Sequence, residues 1–174
     1  MRVTGFGKES AKVILYIDKR PELGFCKDLS DLECLQASQL DLIKATGNHW
    51  RKILNIFAKI AFAMNAQKCE TWQAYRDDKL LTKQGDEALI FQNSLVDSEA
   101  IHLICGKSFF HEFDLEENEF RALDEAGEIS FKGRVYRVPY LDYRQFPNSL
   151  IEMLVESMKG TRRTGNCKIF GLAN

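Results

Sequence analysis

Short apolar runs along the chain predict four β-strands. The run Lys12–Asp18 is almost continuously apolar and β-branched, which is typical of a strand buried on both faces in a parallel sheet. Ala88–Gln92 and Ile101–Cys105 are two shorter runs of the same kind. In Arg134–Val138, charged residues alternate with β-branched or aromatic ones, which favours an outer strand. These four runs are the candidate strands of a central sheet.

Apolar residues at intervals of three and four predict helices between and after these strands. The clearest pattern extends from Asn48 to Ala66, and another extends from Asn148 to Met158. Weaker patterns predict further helices, loops or helical turns over Leu29–Ala45, Trp72–Lys83 and Ser108–Phe113. We expect residues 158–174 to form a loose C-terminal tail.

The alternation of strands and helices predicts an α/β fold. We expect a single domain over residues 1–174, built as a three-layer sandwich around a mostly parallel sheet of about four strands. About eight residues separate Asn93 from His102, whereas a parallel crossover needs about a dozen or more. One of the two strands next to this connection is therefore expected to be an antiparallel arm.

Composition narrows the function classes. The chain has 174 residues, of which 45% are hydrophobic, so it can bury a sizeable core and is not a disordered or low-complexity protein. Its 24 Lys and Arg nearly balance 25 Asp and Glu, which gives a net charge of −1. No overall positive field therefore attracts phosphate backbones or anionic membranes, and any nucleic-acid contact must come from a local patch.

The cysteines and the apolar runs predict the compartment. The five cysteines are widely spaced and include no C-x-x-C pair, so the sequence predicts neither a metal site nor a cofactor. The first apolar run, Val13–Ile17, is far too short for a signal-peptide core or a membrane span. We therefore expect a cytoplasmic protein with reduced thiols and no membrane partner.

Polar residues that follow the predicted strands are the candidate chemistry, because ligands of α/β sheets bind beyond the carboxyl ends of the strands. Asp18 can hold a water for attack on an electron-poor carbon, although acidic residues also end strands simply to satisfy turns. Gly106-Lys107 can present an ammonium to a phosphate, or it can be an ordinary turn with a surface lysine. The loop Pro139–Pro147 holds three aromatics and an arginine, which suits stacking against bases or closing the core.

Taken together, the strand ends resemble the uracil-DNA glycosylase superfamily, particularly its mismatch-specific thymine/uracil branch. Val13–Asp18 is similar to the first strand of that family, which ends in a motif with a catalytic Asp or Asn. Gly47–Leu54 resembles the Gly-Asn-x-aromatic segment that opens the next helix. Ile104–Lys107 and Tyr136–Pro147 resemble the final two strands and the loop that enters DNA, and Phe91–Asn93 resembles a strand end that lines the pocket.

The resemblance implies a function and a set of roles. Asp18 would place a water near the sugar C1′ of a flipped nucleotide, Phe25 would stack on the base, and Asn93 would read the base edge. The residues that would contact DNA are Asn48, Lys107, Tyr140 and Arg144. The partner implied is DNA or another nucleobase-containing ligand, and no cofactor is required.

The first motif departs from the family pattern. In the family, Pro directly follows the catalytic residue and Gly usually stands two positions before it, whereas Lys19 and Tyr16 occupy those positions here. Val138-Pro139-Tyr140 also lacks the His or Ser that often stabilises the departing base. The sequence therefore predicts a diverged member that binds a nucleobase or nucleic acid and hydrolyses an N-glycosidic bond if it is active.

Two other functions remain open at the level of sequence. A non-enzymatic protein-interaction domain would keep the scaffold and present a flat apolar patch to a protein partner. A hydrolase of a small nucleoside-like ligand would hold Asp18 in a closed pocket without a basic rim. Nucleic-acid binding instead requires Lys19, Arg20, Lys107 and Arg144 around one concavity.

Overall fold

The computed structural model describes residues 2–65 and 69–171, with side chains up to residue 162. Over these residues the chain forms a single mixed sheet of eight strands. The strands are β1 (Gly5–Gly7), β2 (Val13–Tyr16), β3 (Leu32–Glu33), β4 (Glu87–Ile90), β5 (Ile101–Cys105), β6 (Arg121–Ala122), β7 (Ser130–Lys132) and β8 (Val135–Val138). Their order across the sheet is β3-β1-β4-β2-β5-β8-β7-β6.

The four predicted strands form the centre of this sheet. β4, β2, β5 and β8 are neighbours in that order, and all three pairings between them are parallel. Short strands extend the sheet on both sides, through one more parallel and three antiparallel pairings. The prediction of a mostly parallel sheet of about four strands is therefore wrong in size and in type, since the sheet is mixed and has eight strands. The added strands have only two or three residues each, too few to show a periodic pattern.

The connection between β4 and β5 corrects a second prediction. Both strands are parallel to β2 and lie on either side of it, so neither is an antiparallel arm of the other. Residues 91–100 cross over β2 without any helix. Ten residues of extended chain span roughly 33 Å, which exceeds the length of one strand plus the width of two strand spacings. A parallel crossover without a helix can thus be shorter than the dozen or more residues expected above.

Helices cover one face of the sheet. The helices are α1 (Gly24–Lys27), α2 (Ala37–Ala45), α3 (Asn48–Met64), α4 (Trp72–Asp78), α5 (Lys107–Phe110) and α6 (Asn148–Gly171), with a 3-10 turn at Glu117–Glu119. Buried side chains of α2, α3, α4 and α6 share one core with alternate residues of the central strands, such as Val13 and Leu15 of β2. Ile53, Phe57 and Ile60 of α3 are fully buried there, because they recur on one helix face.

The opposite face of the sheet carries much less helix. Ile14 and Tyr16 of β2 point to this side and pack with the phenylalanines of α5 and of the turn after it. α5 is a single turn of four residues, and loops cover the rest of this face over the described part of the chain. The expected three-layer sandwich therefore has one full helical layer, while its other outer layer consists mainly of loops.

The last helix extends past the predicted boundary. α6 continues through Met158, which is fully buried, to Gly171. The hydroxyl of Tyr136 on β8 bonds to the hydroxyls of Ser157 and Thr161, at 2.9 and 2.7 Å. The expected loose tail is thus a helix that is attached to the sheet at its first turns, and residues 172–174 lie outside the described residues.

Candidate functional site at the carboxyl edge of the sheet

The chain leaves β2 and β5 toward opposite faces of the sheet. After β2 it passes into the helical layer that contains α2 and α3, and after β5 it passes directly into α5 on the other face. β2 and β5 are adjacent and parallel, so the region beyond their carboxyl ends is the place where α/β proteins of this kind bind ligands. Asp18 lies two residues beyond β2, and Gly106 directly follows β5. The topology therefore selects the same edge that the sequence analysis proposed.

Asp18 is exposed at this edge and acts on its neighbours through its charge. The pKa of the Cys105 thiol is raised to about 12, mainly by burial and to a smaller extent by the Asp18 carboxylate. The same carboxylate contributes to a raised pKa of the Tyr140 hydroxyl. Cys105 ends β5, the neighbour of β2, and Tyr140 follows β8, the next strand along, so the charge of Asp18 reaches a thiol and a phenol at the ends of two consecutive strands.

Tyr140 forms a pair with His49 that joins β8 to the start of α3. Its hydroxyl is hydrogen-bonded to His49 Nε2, and the two rings are stacked with centroids 5.2 Å apart and an interplanar angle of 26°. Partial burial is the main cause of the raised pKa of Tyr140, followed by its electrostatic interactions with Cys105, Asp18 and Asp142. The hydroxyl therefore stays protonated at neutral pH and remains a hydrogen-bond donor.

The aromatic loop after β8 is attached to α3. Lys52 Nζ donates to Asp142 Oδ2 at 2.7 Å, and this bond lowers the pKa of the Asp142 carboxyl. Asn55 Nδ2 donates to Tyr143 Oη at 2.8 Å. Arg144 is exposed, and its backbone N–H donates to Asp142 Oδ1 at 3.0 Å. These bonds hold the loop in one position beside the Tyr140–His49 pair.

A small cleft lies beyond β5 and β8. Its volume is about 260 Å³, and its lining includes Gly106, Lys107, Glu128, Tyr140 and Gln145. The Lys107 side chain is exposed at the rim, with a carboxylate on the opposite side at Glu128. Arg137 also lines the cleft, but it is paired with Glu117 at 2.8 Å, so Lys107 and Glu128 are left as the other charged residues of the lining.

Phe25 and Asn93 do not line this cleft. Phe25 is half-buried and packs edge-on against Phe6, with ring centroids 6.2 Å apart. Phe6 also contacts Phe91, and the Arg20 guanidinium lies 5.5 Å from the Phe91 ring centroid. Asn93 is exposed in the crossing loop. Phe25 thus belongs to an aromatic cluster that continues from Phe91 to Trp50 and from Trp50 to His49, with ring centroids 6.5 and 6.4 Å apart.

A family model matches residues 4–159, a range that includes every strand and every candidate site residue. The chain belongs to DUF6942, a family of unknown function. Searches among curated proteins and among solved structures gave no match. Membership of DUF6942 therefore supports treating residues 4–159 as one unit, and it assigns no chemistry to them.

The basic residues of this DUF6942 chain do not form one ring around the cleft. Arg20 Nη1 donates to the carbonyls of Cys26, Lys27 and Leu29 at 3.2, 3.3 and 3.1 Å, so it closes its own loop. Asn48 Oδ1 accepts a hydrogen bond from Arg51 at the first turn of α3. Lys19, Lys107 and Arg144 are exposed. Of the predicted residues, Asp18, Lys107 and Tyr140 therefore converge at the carboxyl edge, and Asn48 starts the helix beside them.

His49 is the residue that the sequence analysis missed, because the three histidines fall in different predicted elements and none lies in a nucleophile motif. The sequence feature that could have revealed it is the segment Gly47–Leu54, in which His49 directly follows the Asn that opens α3.

Among the described residues, no group of three His, Cys, Asp or Glu side chains is arranged to hold a metal ion. In the same part of the chain, no helix is both long and apolar enough to cross a bilayer.

Proposed function

We propose that the chain is a diverged uracil-DNA-glycosylase-like protein that binds a nucleobase-bearing ligand between the carboxyl ends of β2 and β5. The observation that carries this proposal is the exposed Asp18 at the end of β2, next to the Tyr140–His49 pair. A carboxylate facing a protonated hydrogen-bond donor across a crevice suits hydrolysis of an N-glycosidic bond.

The chemistry assigns a separate task to each side of the crevice. Asp18 accepts a hydrogen bond from a water and directs its oxygen toward the sugar C1′. The bond between C1′ and the base nitrogen breaks and its electron pair goes to the base. The water oxygen bonds to C1′, its proton passes to the Asp18 carboxylate, and the departing base takes up a proton from solvent. The Asp18 carboxylate also stabilises the positive charge that develops on the sugar. Tyr140 donates a hydrogen bond from the other side, and Lys107 supplies a positive charge for a phosphate.

The order of the central strands supports this location. Taken in chain order, the four parallel strands lie second, first, third, fourth across the sheet, which puts the change of direction between β2 and β5. Ligands of doubly wound sheets bind at that point. The resemblance in the sequence motifs names a nucleobase as the ligand, and the exposed position of Asp18 leaves room for one.

Neither rival function has comparable support. The large hydrophobic residues that are exposed in the described part of the chain, Leu42, Tyr143 and Met153, lie on three different elements and form no flat apolar patch. Asp18 is exposed, whereas a nucleoside hydrolase of the kind considered above would enclose it. We therefore keep the nucleobase-binding function as the conclusion.

Base release tests this function directly. Single- and double-stranded oligonucleotides carrying uracil, thymine mismatches or damaged bases are incubated with the protein, and release and binding are followed at about 50 and 200 mM salt. Asp18→Ala is expected to abolish release, and both Asp18→Ala and Asp18→Asn are expected to leave binding nearly unchanged. Asp114→Asn is the matched control, because Asp114 is also exposed but lies between Phe113 and Leu115 on the opposite face.

The outcomes separate activity from binding. Release that is lost in Asp18→Ala and kept in Asp114→Asn supports the mechanism. Equal release by the wild type and Asp18→Ala removes Asp18 from it. If neither release nor salt-sensitive binding occurs with any of these oligonucleotides, the function proposed above is wrong.

A further inference from the structure

We propose that single-stranded nucleic acid binds along a row of alternating cations and aromatic rings on the outside of α3. We call this surface the aromatic–cation row, and it consists of Lys52, Tyr143, Lys59, Trp72 and Arg76. The inference deepens the function proposed above, because it names the molecule that would carry the base into the crevice.

Helix α3 sets the spacing of the row. Lys52 and Lys59 are seven residues apart, which is two helical turns or about 10.5 Å along the axis. Each ammonium lies 5.7 Å from the centroid of the Tyr143 ring. Lys59 Nζ is also 5.1 Å from the Trp72 ring, and the Arg76 guanidinium is 5.4 Å from it. Cations and rings therefore alternate without interruption from the loop after β8 to α4.

Asn55 holds the row in place from beneath. It lies between the two lysines on α3, and its amide donates to Tyr143 Oη at 2.8 Å. Its carbonyl oxygen accepts a hydrogen bond from Arg76 Nη1 at 2.7 Å. Asn55 is only 8% exposed, so both partners are anchored to a buried group. The rings are thus oriented before any ligand arrives, which lowers the entropic cost of binding.

Lys59 is the cation of the row that is best suited to a phosphate. Lys52 is paired with Asp142 and Arg76 with Asp77, at 2.7 and 2.8 Å, so their charges are largely compensated. Lys59 Nζ donates to Asn148 Oδ1 at 3.1 Å and has no carboxylate partner among the described residues. A cavity of about 300 Å³ lies beside it, lined also by Tyr143, Phe146, Pro147 and Asn148.

Exposure of the rings favours a single strand over a duplex. Tyr143 is 45% exposed and Trp72 is partly exposed, so each can offer ring surface to a base. Aromatic stacking of this kind requires unpaired bases, and combined with backbone-tracking cations it is the usual composition of single-strand binding grooves. The net charge of −1 agrees with such a local surface and argues against a broad phosphate-binding face.

The row begins where the candidate site ends. His49 lies one turn before Lys52 on α3, and Tyr140 lies three residues before Tyr143 on the same loop. A strand with one base in the crevice beside Asp18 therefore meets the row with its neighbouring nucleotides.

Intrinsic fluorescence provides a direct test. The protein has two tryptophans, and Trp50 is buried at 6% exposure, so a base that stacks on the row quenches mainly Trp72. An oligothymidylate of about ten nucleotides is titrated into the wild type at several salt concentrations, with oligouridylate and a matched duplex in parallel. We expect saturable quenching by both single strands, relative affinities that tell DNA from RNA, and weaker binding of the duplex.

Variants of the row distinguish stacking from a merely structural role. Tyr143→Ala is expected to weaken binding roughly 5- to 100-fold, and Tyr143→Phe to weaken it much less, since the ring stays and only its orienting bond to Asn55 is lost. Lys59→Gln is expected to reduce the slope of log affinity against log salt by about 0.7, with an unchanged melting temperature. Lys83→Gln, an exposed lysine in the turn after α4, is the matched control and should not change the slope.

The outcomes separate this inference from the function proposed above. Binding that is lost in Tyr143→Ala but kept in Asp18→Asn supports the row, whether or not any base is released. Absence of quenching and of salt-dependent binding to both single strands overturns it. The aromatic–cation row is also ruled out if the protein releases bases and Tyr143→Ala and Lys59→Gln bind single strands as tightly as the wild type does. That result leaves the proposed function of Asp18 intact.

Discussion

The hydroxyl of Tyr16 connects three parts of the fold, and its removal should destabilise the protein measurably. Tyr16 Oη accepts a hydrogen bond from the Val96 N–H at 2.9 Å and donates one to His102 Nδ1 at 2.8 Å. The other ring nitrogen of His102 lies 3.4 Å from the Ser98 carbonyl oxygen. This network attaches the crossing loop 91–100 to β2 and β5, on the face that has little helix.

Tyr16→Phe keeps the ring and removes only the hydroxyl. Two hydrogen bonds of about 1 kcal/mol each are lost, and the buried His102 Nδ1 is left without its donor. We therefore expect the free energy of unfolding to fall by about 2–3 kcal/mol. For a domain of this size the melting temperature should fall by roughly 4–12 °C.

Urea denaturation followed by circular dichroism measures this loss, with calorimetry for the melting temperature. The matched control is Tyr143→Phe, since Tyr143 is 45% exposed and water can replace its single bond to Asn55. A loss below about 0.5 kcal/mol in Tyr16→Phe, or a loss equal to that of Tyr143→Phe, would refute the reasoning.

Three further predictions concern acid stability, the core and β1. Burial lowers the pKa of His102 in the folded protein, so as the pH falls the unfolded chain binds this proton before the folded one does. The free energy of unfolding should therefore decrease as the pH falls below about 6.5. His102→Gln should flatten that dependence, which urea titrations at several pH values measure. Phe57→Ala at a fully buried position should cost about 3–5 kcal/mol by the same titration, and a cost under about 1 kcal/mol would contradict the packing. Gly7→Ala should destabilise more than Gly133→Ala in thermal melts, because both have positive φ but an added Cβ at Gly7 would lie 2.3 Å from the Glu87 carbonyl oxygen.

Much of the sheet could be predicted because its central strands are buried on both faces. Ile101–Cys105 is a strand in the structure with the predicted bounds, and the strand predicted over Lys12–Asp18 contains β2. The short edge strands β1, β3, β6 and β7 could not be found in the same way. Their residues pair because the central strands are already in position, and segments of two or three residues have no periodicity of their own.

The candidate site likewise contains residues that could be predicted from the sequence and contacts that could not. Asp18, Lys107 and Tyr140 were found from the sequence because polar residues directly after buried strands must gather at one edge of a parallel sheet. The contact of Phe25 with Phe6 was not visible, because Phe6 comes from a strand that the sequence analysis did not predict. Lys59 and Trp72 meet only because α3 packs against α4.

The amino-acid sequence alone determined the local features of this protein: the buried central strands, the amphipathic face of α3 and the polar residues at the strand ends. These depend on neighbours along the chain, so periodicity reveals them. Only the tertiary structure decided the mixed eight-stranded sheet, the pairing of Tyr140 with His49 and the aromatic–cation row. Such contacts join residues far apart in the chain, and their energies depend on distance and burial in space, which a single sequence does not record.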